Sequence, residues 1–142
     1  MKKIILLSVL LVIPVGIAPD RGEAQGKEGL SKLMASKLKN SQRVLEGLAM
    51  ASFDKITRAA EELIQLTKTE QWLVHKTPRY EVHSNEFRSA AETVVRKARA
   101  KNLDGAALAY FDMTMSCLRC HQYVRELRDV NFRTPGPSRL DY

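Results

Sequence analysis

The chain has 142 residues, 44% of them hydrophobic and 27% charged, with a formal net charge of +7. That is one domain's length with enough apolar content for a core, which excludes wholesale disorder. Seven Gly, five Pro and 6% aromatics suit long helices better than a loop-rich β fold, and two cysteines exclude a multi-disulfide scaffold.

In chain order, the first segment reads as an export signal. Lys2 and Lys3 form a basic start, residues 4–13 are apolar apart from Ser8, and Gly22 and Ala24 offer a small-x-small cleavage site before Gln25. The apolar run is short for a membrane span; the alternative is an uncleaved N-terminal anchor. Either way, residues 1–24 are expected to carry the rest into the periplasm or otherwise across the cytoplasmic membrane. The remainder keeps 20 basic and 14 acidic residues. This charge is spread along the chain rather than gathered in one block. It suits docking to an acidic partner, and the lack of basic runs interleaved with aromatics argues against nucleic acid.

Four amphipathic stretches follow. Leu30, Leu33, Met34, Leu38, Ser41, Leu45 and Leu48 recur at spacings of three and four, predicting a helix over 27–50. Phe53, Ile56, Ala60, Leu63 and Leu66 predict a second from Ser52 to about Thr69. Residues 70–83, with Trp72, His75, Pro78 and His83, read as a connection, because Pro78 pushes Thr77 out of helical geometry. Both histidines are expected at the surface, and Trp72 and Tyr80 over the end of the bundle. Ser84 is the expected cap of a third helix whose buried stripe is Phe87, Ala90, Ala91, Val94, Val95 and Ala98. Asn102 ends it. Asp104 can cap a fourth, with Ala107, Leu108, Phe111, Met115, Leu118, Val124 and Leu127 continuing to about Val130. Pro135 and Pro137 predict a flexible tail over 131–142. No alternating strand pattern occurs. The expected fold is an all-α antiparallel four-helix bundle over residues 25–130.

Chemistry concentrates at Cys117-Leu118-Arg119-Cys120-His121. Cys-x-x-Cys-His is the attachment signature of c-type haem. Cys117 and Cys120 lie nearly on one face of a helix, so both sulfurs can reach the vinyl edge of one porphyrin while His121 points at the iron as a neutral ligand. With this composition, chance produces the pattern roughly three times in ten thousand. A redox dithiol is the rival, but such motifs accompany a βαβ pattern that this chain lacks. A zinc site would need four ligands, and His75 and His83 are not spaced to complete one. With both cysteines committed to haem, no nucleophile-base constellation remains, so an enzyme is not expected. Phe111, Leu118 and Val124 are expected to line the haem pocket.

A haem motif on the last helix of a bundle resembles class II of the c-type cytochromes, the cytochrome c′ and c-556 group. Residues 113–125 resemble that family's ending, with a basic residue, Arg125, four positions after the His. Residues 38–42 of the first helix resemble it loosely. Residues 41–48, 84–88 and 101–106 are similar to the version found in planctomycete bacteria. The resemblance covers about residues 30–128. It implies one covalent haem c, carried on the last helix, and electron transfer. It also implies a residue of the first helix on the distal side of the iron. A Met there gives the six-coordinate c-556 type, and Met34 is the candidate, with Lys37 or Leu38 as alternatives one turn away. An apolar residue there gives the five-coordinate c′ type, which binds NO or CO. Arg125 is expected near the proximal imidazole or a haem propionate. Family bundles often form homodimers through the first two helices, and Val44 is expected to be exposed there.

Overall fold

The computed structural model describes residues 21–69 and 77–133, with four helices and no strand among them: α1 (Arg21–Ala49), α2 (Phe53–Leu66), α3 (Pro78–Arg99) and α4 (Leu103–Arg133). Residues 1–20 of the expected export segment, Trp72, His75 and residues 134–142 of the expected tail lie outside the described residues. No described helix is long and apolar enough to cross a membrane.

Two tight turns of one design reverse the chain. After α1, Ala51 adopts φ 50°; after α3, Lys101 adopts φ 53°. In the first, Ser52 N–H donates to Gly47 O (2.8 Å) and Ala51 N–H to Leu48 O (3.1 Å). In the second, Asn102 N–H donates to Lys97 O (3.0 Å) and Lys101 N–H to Ala98 O (2.9 Å). These are Schellman closures, which satisfy the last carbonyls of each helix through a left-handed residue. Asn102 then caps the next helix, its Oδ1 accepting from Gly105 N–H at 2.7 Å. The sequence had assigned that cap to Asp104, which instead lies in the first turn, where its charge favours the helix dipole.

The start of α3 corrects the sequence reading most. Pro78 occupies the first helical position, where its missing N–H costs nothing. Thr77 is the cap, its Oγ1 accepting from Tyr80 N–H at 3.2 Å. Ser84 is therefore buried inside the helix rather than capping it, and His83 belongs to α3 rather than to a connection. Tyr80 is a buried residue in the first turn of α3.

Packing follows the chain: α1 on α2, α2 on α3 and α3 on α4, whereas α1 and α4 barely touch. The α3–α4 pair runs antiparallel, with Thr77 opposite Tyr123 and Glu86 opposite Arg119. Small residues let the helices close up. Ala90, Ala91 and Ala98 are buried on α3, and Ala106, Ala109 and Ser116 on α4. At the α1–α2 crossing, a Cβ on Gly47 would lie 2.8 Å from Ile56 Cγ1, so only glycine permits this approach. The core gathers Leu33 and Val44 of α1 with Ile56 and Leu63, Phe87 and Val94, and Met113.

Three expected exposures are reversed. Val44 is completely buried in the hydrophobic core rather than exposed for dimerisation. Phe111 is 65% exposed and does not line the cavity described below. The stripe of large side chains on α4 read as the buried one faces outward at Leu108 and Phe111, while Ala106 and Ala109 beside them are the buried positions.

Candidate functional site

Where α1 and α4 diverge, a cavity of about 660 Å³ opens between them. This is within the size range of small-molecule sites, about 300–1,000 Å³. Met34, Lys37 and Leu38 of α1 form one wall; Cys117, Cys120 and His121 of α4 form the other; His83 and Phe87 of α3 form the floor. One end is bridged by Ser41 Oγ and Tyr110 OH, 3.4 Å apart. The lining is predominantly apolar.

The i, i+3, i+4 spacing of Cys117, Cys120 and His121 puts all three on this wall. Both cysteines are half-buried and free of disulfide bonding. Cys117 packs against the hydrophobic core, while His121 is exposed on the open side. Burial pushes both thiols above their ordinary range, opposed by the Lys37 charge. That direction disfavours the redox-dithiol alternative, which needs a stabilised thiolate. Among the described residues no group of three or more His, Cys, Asp and Glu side chains could hold a metal ion, so a zinc cluster finds no support there.

Lys37, one of the two alternatives to Met34 read from the sequence, is a wall residue. Its Nζ lies 4.0 Å from the centroid of the Phe87 ring, a cation–π contact on the cavity floor. Burial lowers its pKa from 10.5 to about 7, against the raising influence of Cys117 and Cys120. Met34, also in the wall, packs against the core. Leu38 is 61% exposed and Leu118 57% exposed, and both line the cavity. Val124 is half-buried outside the lining.

The floor carries a second residue that the sequence reading placed elsewhere. His83, expected at the surface, is half-buried, and its Nε2 is buried without a hydrogen-bond partner. Its Nδ1 is 3.4 Å from Glu86 Oε2, and its ring lies 5.6 Å from that of Tyr123. Tyr123 OH is 2.7 Å from Thr77 Oγ1, so the α3 cap and the α4 segment after His121 support each other. Tyr80 is pushed up to about 12 by burial and then by Cys120. The signal for His83 was its position four residues before Phe87, visible once the helix is started at Pro78. Arg125 sits one turn beyond His121, exposed and outside the cavity lining.

Comparison with known protein families, with curated proteins and with solved structures finds no match to this chain.

Proposed function

We propose that this protein is an exported mono-haem c-type cytochrome of the class II type and that it transfers electrons. The observation that carries the reading is the convergence of Cys117, Cys120 and His121 on one apolar cavity of about 660 Å³. A porphyrin is a large apolar plate with a polar edge, and such a chamber between two helices is where a bundle accommodates one. Cys117 and Cys120 would hold the haem as thioethers, and His121 would bind the iron on the proximal side. When bound, the haem supplies an iron that cycles between Fe(III) and Fe(II). The chain's own contribution is to seat the group, exclude water through Phe87 and Met34, and set local charge through Lys37 and Glu86. Met34 and Lys37 stand on the opposite wall as distal candidates, while Arg125, outside the lining, would meet at most an exposed propionate. No substrate is chemically transformed, so the protein is not an enzyme.

The exposed Leu38 and Leu118 at the cavity mouth are where a redox partner would approach. The excess of basic residues favours an acidic partner and salt-sensitive docking. A homodimer would use exposed α1 positions such as Leu45 rather than Val44.

The test is direct. The full chain is produced with a haem-attachment system and its mass measured under denaturing conditions. A mass increased by one haem, lost in Cys117→Ala/Cys120→Ala, supports the reading. A colourless protein with the bare-chain mass refutes it. Adding CO to the reduced protein separates an electron carrier, which resists it, from the gas-binding c′ type, which takes it up readily.

A further inference from the structure

Besides the motif residues, four side chains bring an atom able to bind iron to the cavity: Met34 and Lys37 on α1, His83 on α3 and Tyr110 on α4. They are not equivalent. Tyr110 is carried by the same helix as His121, and His83 stands on α3 against the Tyr123 ring, so Met34 and Lys37 are the two that belong to the α1 wall. Met34 packs against the hydrophobic core, where a flexible thioether fills space well. Lys37 instead extends its head group onto the cavity floor over Phe87.

Register supports the distinction. Three reversals of the chain make α1 and α4 antiparallel, and the Ser41–Tyr110 contact fixes their alignment. Seven residues on from Tyr110 is Cys117; seven back from Ser41 is Met34. Lys37 is one turn nearer Ser41, about 4.5 Å at 1.5 Å per residue. Helical side chains lean toward the N-terminus of their own helix, and a lysine is long enough to cover that offset. A lysine at this position is therefore long enough to bring its amine to the level of Cys117. The level of the two sulfurs is the level at which a group bonded to them must lie.

We propose that Lys37, rather than Met34, presents the ligand atom on the iron face opposite His121, an assignment that rests on the haem reading above. The neutral form of the amine carries the lone pair that can bind a metal. An amine is a harder donor than a thioether and favours Fe(III) over Fe(II). The protein then holds six-coordinate iron at a lower potential than a Met34-ligated version of the same site, and its distal face is closed to NO and CO at rest.

The experiment compares the matured full-length protein with its Lys37→Ala and Met34→Leu variants. Each is examined in the ferric state by electron paramagnetic resonance and near-infrared magnetic circular dichroism, which distinguish amine from thioether ligation. The expected result is a low-spin His/amine signature in the parent and in Met34→Leu. Lys37→Ala becomes high-spin, binds CO on reduction, and returns to low spin when methylamine is added. A low-spin Lys37→Ala protein, a thioether signature in the parent, or a high-spin parent each overturns the assignment while leaving the haem reading intact. If Lys37→Ala fails to mature, the signature of the parent still decides. A parent that carries no haem overturns the haem reading and this assignment together, and is recognised beforehand by its mass.

Discussion

Lys37 makes stability depend on pH in a way that needs no haem. In the haem-free, reduced protein its pKa is lowered from 10.5 to about 7, mainly by burial. Between those values the unfolded chain carries a proton that the folded chain has released. Folding stability must therefore rise with pH from about 7 upward. Integrating the proton difference from pH 7 to pH 9 gives about 2 kcal/mol at 1.36 kcal/mol per unit. The two thiols act oppositely. Burial raises them above 9.0, so the folded chain keeps protons that the unfolded chain loses, and their contribution falls as pH rises through 9. Lys37→Met separates the effects, because the thiols remain in both proteins. Urea unfolding followed by circular dichroism at pH 7 and pH 9 reads the difference. The parent should gain about 2 kcal/mol relative to Lys37→Met over this interval, roughly 1–2 M in midpoint for an m-value of about 1–2 kcal/mol/M. Lys37→Met should also be the more stable protein at pH 7. Parallel pH profiles for the two proteins would show that the amine is not buried as described, and the argument from burial would fail.

Three further predictions concern the scaffold. Gly47→Ala gains about 1 kcal/mol of helix propensity but drives a methyl into Ile56, at 2.8 Å from Cγ1 and 3.0 Å from the backbone N; overpacking of about 1–3 kcal/mol should win, and thermal denaturation should show a Tm lower by several degrees. Lys101→Gly relieves a left-handed residue at φ 53° and should stabilise by about 0.5–1 kcal/mol in chemical denaturation, the gain being limited by the extra freedom of the unfolded glycine. Thr77→Ala removes both the α3 cap and the hydroxyl partner of Tyr123, so about 1–2 kcal/mol should be lost, with Thr77→Ser recovering most of it.

Helix periodicity carried most of the fold. α2 was located to within a few residues and the buried stripe of α3 was read correctly from Phe87 to Ala98. Where α3 begins was misread because Pro78 has two opposite meanings. Inside a helix it breaks the hydrogen-bond ladder; at the first position it starts one. Only the Thr77 cap tells them apart, and that error carried His83 and Ser84 with it. The faces of α4 were misread for another reason. Large apolar residues were assigned to the core, yet a close seam is built from small ones. Ala106, Ala109 and Ser116 are buried, while Leu108 and Phe111 face out. Cysteine spacing, by contrast, depends on local helix geometry alone, so the three residues of the motif were legible as one constellation and do share a cavity wall.

The α1 stripe explains why the opposite wall was harder to read. A helix facing a core and a helix facing a cavity show the same apolar period, because both exclude water from one side. On α1 the two surfaces are adjacent: Leu33 and Val44 enter the core, while Met34, Leu38 and Ser41 face the chamber. The pattern gave one broad stripe, and Met34 was chosen within it as the residue whose chemistry suits iron. Lys37, one of the two alternatives named beside it, lies on that arc as well, although a charged side chain is normally assigned to solvent. Burying it is costly unless something at the site uses it. A core would have excluded this lysine, whereas the wall of a chamber admits it. If the haem proposal holds, a lysine in the apolar wall says more about the face opposite His121 than the methionine beside it, which either surface would tolerate.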